Sequence, residues 1–158
     1  MTCKFAPLYE NIIAGLAVKK HEEVKMDLRD AEAVHVDETS FSVGGKGWWL
    51  WSFSNDEYVL YRLVNSRGSG VLEEVLGEDF DGWIICDGLS AYPAFTDVDP
   101  TNNQAERNLR EPIVIRKTIG TLRNEKGTRI FERIMTMIAT WKRQGLNPKE
   151  EMLKIIRG

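Results

Sequence analysis

Apolar and polar positions follow different rhythms in successive parts of this chain. From Met1 to Glu32, Leu8, Ile12, Ile13, Leu16 and Ala17 recur at helical spacing, which predicts a helical N-terminal arm over residues 1–32. Its second half, KKHEEVKMDLRDAE, is polar and reads either as a second short helix or as a loose arm, with His21 a solvated surface residue. The texture then changes. AVHVD, from Ala33, is β-branched and compact, as in a buried strand. Gly44-Gly45-Lys46-Gly47 supplies residues suited to a hairpin turn. WWLWSF from Trp48 is the returning strand, Asn55-Asp56 the next turn, and YVLYRLV from Tyr58 a third strand, which together make an antiparallel meander. Trp48, Trp49 and Trp51 alternate across their strand and read mainly as core, with at most one face left to stack on a base.

Beyond the meander, VLEEVL (Val71 to Leu76) predicts a short helix closed by Gly77, and Gly82 to Cys86 a fourth apolar strand that ends at Asp87-Gly88. A strand reached through a helical crossover lies parallel to its neighbour, with a right-handed connection. If that neighbour is the first strand, Asp37 and Asp87 leave adjacent strands near one sheet edge, where open α/β sheets place ligands. After a link from Ala91 to Pro100, Asn102 or Asn103 caps a helix running to about Arg110, which Pro112 must end or kink. Ile113 to Thr118 continues as helix or extended chain, and Ile119 to Lys126 as a loop. Thr128 to Gln144 is a strong helix with Ile130, Phe131, Ile134, Met137, Ile138 and Trp141 on its apolar face; Gly145 stops it, and Asn147-Pro148 opens a last helix to Arg157. The pattern predicts an α/β fold: a mixed sheet, made of a three-stranded antiparallel meander plus a parallel strand, with C-terminal helices, over residues 33–158.

Composition changes this picture little. A chain of 158 residues suits one domain, with or without an arm. No run approaches the ~18 apolar residues that would suggest a membrane span, and no secretory signal is evident around Phe5 to Val18. Two cysteines far apart, Cys3 and Cys86, fit a reducing cytoplasm, and with two histidines they are too few for a structural zinc site. Charge matters more. Residues 1–100 carry 8 basic and 18 acidic side chains, a net of −10, and residues 101–158 carry 13 and 6, a net of +7. This fits an acidic metal-binding part followed by a basic part that tracks a phosphate backbone, or two solvated faces that attract each other; charge alone favours the second.

Asp37, Asp87 and Glu106 form a candidate metal-binding, catalytic triad for phosphoryl transfer on DNA. Two-metal phosphodiester chemistry needs hard oxygen ligands around ions roughly 3.5–4 Å apart, and strand-end aspartates facing a helix carboxylate would supply them. Plainer roles stand beside this one. Asp87-Gly88 fits an ordinary turn, and Glu106, three residues after Asn103, fits a capping box. Asp37 is harder to set aside, because a carboxylate closing an apolar strand is costly if buried unpaired. Glu38 alternates to the other sheet face, exposed or paired with a base. Arg107 and Arg110 contact phosphates or pair with Glu106 and Glu111. Arg116, Lys117, Arg123, Lys126 and Arg129 form a denser basic cluster, a phosphate-binding or a solvated face.

Four stretches, VHVDETSFSVGGKGWWLW, GWIICDGLSAY, TNNQAERNLREPIVIRKTIGTLR and ATWKRQGLNPKEEML, together closely resemble the DDE transposases of prokaryotic insertion sequences, in the group named insertion sequence sixty-six. The resemblance implies a ribonuclease-H-like fold and an enzyme dependent on Mg²⁺ or Mn²⁺ that nicks transposon ends and joins the 3′-hydroxyl to target DNA. It places the catalytic carboxylates on Asp37, Asp87 and Glu106, gives Asn103 and Arg107 supporting positions beside the glutamate, and matches Arg116-Lys117 to a basic pair. The chain departs from the family in three respects. It lacks the family's leading helical and zinc-ligand regions, as a catalytic-domain fragment or truncated reading frame would. It lacks the long insertion after D-G-x-x-A-Y. Only 18 residues separate Asp87 from Glu106, too few for another helix and a fifth strand, which implies an internal deletion. A missing fifth strand would leave the fourth strand's edge open, so the expectation is a homodimer, or a C-terminal helix over that edge. The expected partners are DNA and a second copy, with no membrane and no small-molecule substrate. Competing functions are an inactive remnant that dimerises or binds DNA weakly, and a metal-dependent nuclease of the same fold.

Overall fold

In the computed structural model the described residues are 6–86, 103–119, 122 and 124–157. They form α1 (Ala6–Arg29), β1 (Ala33–Val43), β2 (Lys46–Ser54), β3 (Val59–Val64), α2 (Gly70–Leu76), β4 (Trp83–Cys86), α3 (Asn103–Ile119), α4 (Glu125–Arg143) and α5 (Pro148–Arg157). The strand order is β3-β2-β1-β4. β1, β2 and β3 pair antiparallel, and β4 returns through α2 to lie parallel to β1. This is the expected mixed sheet, a three-stranded antiparallel meander plus a parallel strand, and the parallel strand is where the crossover argument puts it. β1 runs on past AVHVD to Val43, so Asp37 stands within the strand and does not close it as expected; the strand stops where Gly44 and Gly45 take positive φ, 57° and 78°. That tight turn holds Val43 opposite Lys46.

The sheet is covered on both faces. Val34, Val36, Trp51, Phe53 and Leu60 pack against Val24 and Leu28 of α1 and against α2. The opposite face, with Phe41, Val43, Leu50, Val59, Tyr61 and Leu63, packs under Leu109 of α3 and Phe131 and Met135 of α4. Gly82 lets β4 approach β1 closely: a Cβ there would lie 2.5 Å from the Ala31 carbonyl oxygen. The Trp83 N–H then donates to the Glu32 carbonyl at 2.8 Å.

Several expectations are corrected here. α1 is continuous through its polar half, because Ala17, His21, Val24 and Leu28 recur once per turn and are all buried. His21 is therefore no solvated residue; its Nε2 lies 3.5 Å from the Tyr61 carbonyl oxygen. α3 runs unbroken to Ile119 with Pro112 inside it. A proline cannot donate to the carbonyl four residues earlier, here that of Asn108, and the Tyr61 hydroxyl donates to that carbonyl at 2.6 Å instead. α4 begins at Glu125, ahead of Thr128, because the Asn124 side chain accepts the Gly127 N–H at 2.8 Å as an N-cap. Its buried face is also rotated from the expected one. Ile130 is 37% exposed, while Glu132, Thr136 and Thr140 are buried.

Those three polar residues close one edge of the sheet. The N–H groups of Val59 and Tyr61 donate to Thr140 Oγ1 and Thr136 Oγ1 at 3.1 and 3.0 Å, and the Leu63 N–H donates to Glu132. The spacings match physically: four residues of helix rise ~6 Å and two residues of strand ~6.7 Å. α4 thus covers the β3 edge, not the β4 edge where a C-terminal helix was one expectation. β4 is the other sheet edge among the described residues, with Trp83 58% exposed.

Candidate active site on the helix-covered face

Alternation along β1 sends Asp37 to the same face as Phe41 and Val43, under α3 and α4. The residue is half-buried, and its Oδ1 accepts the Glu38 N–H at 2.8 Å. In register it stands opposite Ser52, which in turn stands opposite Tyr61. Ser52 is fully buried, and its hydroxyl has no hydrogen-bond partner among the described residues. Glu38 projects to the other face and pairs with Arg67 at 2.9 Å, as expected for a residue paired with a base. The Arg67 guanidinium lies 4.6 Å from the Trp49 ring centroid, so one face of that tryptophan is already taken.

The β1–β4 register ends with Val36 opposite Cys86, the residues immediately before Asp37 and Asp87. Asp87 lies outside the described residues, and so does Arg123. Asn103 and Glu106 belong to the opening turns of α3, and Arg116 and Lys117 to its last, but their side chains are also outside the described set. α3 itself packs over β1 and β2. Arg107 and Arg110 are exposed on α3, and Lys126 and Arg129 on α4. Glu111, one suggested partner for the α3 arginines, pairs with Lys142 of α4.

Asn108 is the residue that sequence reasoning passed over. Its Nδ2 donates to Ser54 Oγ at 2.9 Å, its Oδ1 accepts from Arg143 at 2.9 Å, and its carbonyl takes the Tyr61 hydroxyl. Arg143 also donates to the Asn55 carbonyl. Burial holds the Arg143 pKa below its ordinary value and pushes that of Tyr61 well up, so the phenol stays a hydrogen-bond donor. The only hint in the sequence is Pro112, which leaves one carbonyl of the preceding turn open for an outside donor.

Among the described residues, no group of three His, Cys, Asp or Glu side chains is arranged to hold a metal ion. What is described around Asp37 fits a hard divalent cation in kind: a carboxylate with a buried, unpartnered hydroxyl on the next strand, and no soft ligand required.

No curated protein matches the chain. A solved structure, the catalytic domain of Mos1 mariner transposase, is similar at 11% identity with a TM-score of 0.42, over 86% of this chain and 88% of that one. The model of the Transposase IS66 family, a DDE transposase family, matches residues 15–99, which include β1 to β4, Asp37 and Asp87. The chain belongs to that family.

Proposed function

We propose that this chain is the catalytic domain of a cytoplasmic DNA transposase, which cleaves transposon ends and transfers the strand to target DNA. The observation that carries the reading is the parallel β1–β4 pair ending at Val36 and Cys86, with α3 packed across the same face. Asp37, within β1 just past the last residue paired with β4, would then stand beside Asp87, which follows β4 directly, and Glu106 would approach from α3. These three carboxylates would hold Mg²⁺ or Mn²⁺; when bound, such ions activate the attacking oxygen and stabilise the leaving one. The chain's own part is to fix the ligands, follow the DNA backbone and exclude competing reactions. Arg107, Arg110, Lys126 and Arg129 are exposed on the two helices covering this face and suit phosphate contact, with Arg116, Lys117 and Arg123 extending the run. Asn103 would support Glu106. In this reading residues 1–32 are a helical segment and residues 33–158 the catalytic domain, which acts as a homodimer.

Isothermal titration of Mn²⁺ tests the site. Losing one charged ligand costs about 1.5–3 kcal/mol, so Asp37→Asn, Asp87→Asn and Glu106→Gln should each lower affinity by roughly ten- to hundredfold. A wild-type protein that takes up no Mn²⁺ at millimolar concentration rules the reading out. Metal-dependent nicking followed by 3′-end joining separates a transposase from a nuclease of the same fold.

A further inference from the structure

We propose that Asn108 is a positioning residue of the active site: its hydrogen bonds fix the roll of α3 on the sheet, and so the direction in which position 106 offers its carboxylate. The inference rests on the reading above, that Glu106 completes a metal site with Asp37 and Asp87.

Asn108 joins α3 to three other elements at one point. Ser54 belongs to β2, Tyr61 to β3 and Arg143 to α4, and Ser54 and Tyr61 are 0% and 1% exposed. The described apolar contact of α3 with the sheet runs through Leu109, with Ile113 and Ile115 beside it. Apolar contacts hold a helix against a sheet without choosing its rotation sharply, because the hydrophobic effect is non-directional. Hydrogen bonds are directional and weaken steeply when bent. The bond from the Tyr61 hydroxyl is the most constraining, since it grips the α3 backbone itself at the carbonyl that Pro112 leaves without an intrahelical donor.

The lever arm makes this matter. At 3.6 residues per turn, positions 106 and 108 stand roughly 200° apart around the axis. Leu109 and Pro112 are buried while Arg107, Arg110 and Val114 are exposed, so Asn108 and position 106 occupy opposite flanks of the buried face. Any roll that moves one moves the other. A side chain ending about 6 Å from the axis travels about 1 Å for a roll of ~10°. Catalytic groups need placement within about 0.5 Å. A roll too small to disturb the apolar packing is therefore large enough to spoil the site, and Asn108 is placed to prevent it.

The test compares Asn108→Ala and Tyr61→Phe with Val75→Ala, a cavity on the opposite face of the sheet, all in the full chain. Mn²⁺ affinity is measured by titration, stability by urea unfolding, and the α3 orientation by residual dipolar couplings of its amides in metal-free protein. The expected result is a roughly tenfold or greater loss of Mn²⁺ affinity in both α3-clamp variants, with α3 couplings reoriented relative to the sheet. Val75→Ala should lose stability while keeping wild-type affinity and couplings. Wild-type affinity and couplings in Asn108→Ala, alongside lost affinity in Glu106→Gln, overturn the proposal. Reoriented couplings in a protein whose wild type binds no Mn²⁺ overturn the metal-site reading and retain Asn108 as the residue that orients α3.

Discussion

His21 shows how burial changes a residue's chemistry. Desolvation lowers its pKa from the ordinary 6.5, against the raising influence of the Tyr61 carbonyl and Glu22, while Arg133 and Arg62 add to the lowering. The folded protein thus holds the imidazole neutral where the unfolded chain would protonate it. Its contribution to stability is complete above about pH 6.5 and is lost as the pH falls below that value toward the depressed folded pKa. Urea midpoints measured from pH 7.5 down to 5 should therefore decline in the wild type and decline less in His21→Gln, which keeps a donor for the Tyr61 carbonyl. Equal slopes in the two proteins would show that the ring is not held neutral. Glu132 has the opposite sign. Burial raises its pKa despite the Arg62 guanidinium and the Leu63 N–H, so folding favours its protonated form. Its contribution is greatest below the unfolded pKa and is lost as the pH rises through the folded one.

At the scale of elements, the contact of α4 with β3 is a polar ladder where an apolar face was expected. An edge strand offers unpaired N–H groups that invite another chain, and Thr140, Thr136 and Glu132 occupy three of them in turn. Thr136→Val keeps the shape and removes the acceptor, leaving the buried Tyr61 N–H unpaired. The cost should be about 1–3 kcal/mol, read as a drop in urea midpoint, while Thr136→Ser should recover most of it. A stable Thr136→Val would mean that the ladder adds nothing beyond packing. Gly82 is the corresponding point on the other edge. Alanine there must push against two backbone carbonyl oxygens, of Ala31 and Glu32. Gly82→Ala should therefore destabilise the protein and loosen β4, seen as faster amide exchange at Trp83 to Cys86.

For the whole molecule, the two sheet edges are treated differently. α4 covers β3, whereas β4, with Trp83 exposed, is an edge among the described residues. The homodimer proposed above would use this edge. Sedimentation equilibrium should show a concentration-dependent dimer, and Trp83→Lys should shift it to monomer, since a lysine on an edge strand opposes pairing. A wild-type monomer at high micromolar concentration removes dimerisation from the reading.

The sequence by itself determined the elements and most of their order. Alternation in AVHVD and WWLWSF, the paired glycines at 44 and 45, and the apolar WIIC strand after a short helix were enough to give a meander plus a parallel strand, because side-chain period and turn chemistry are local properties. The same alternation assigned Asp37 and Glu38 to opposite faces. Only the tertiary structure decided what a buried polar residue does. His21 read as a solvated surface residue, and Glu132, Thr136 and Thr140 stood outside the expected apolar face, because their partners, the carbonyl and N–H groups of β3, lie 40 or more residues away in sequence. Pro112 read as ending or kinking its helix for the same reason. Its missing donor is replaced by the Tyr61 hydroxyl, 47 residues from Asn108 along the chain, and no local rule can supply a bond that folding brings from that distance.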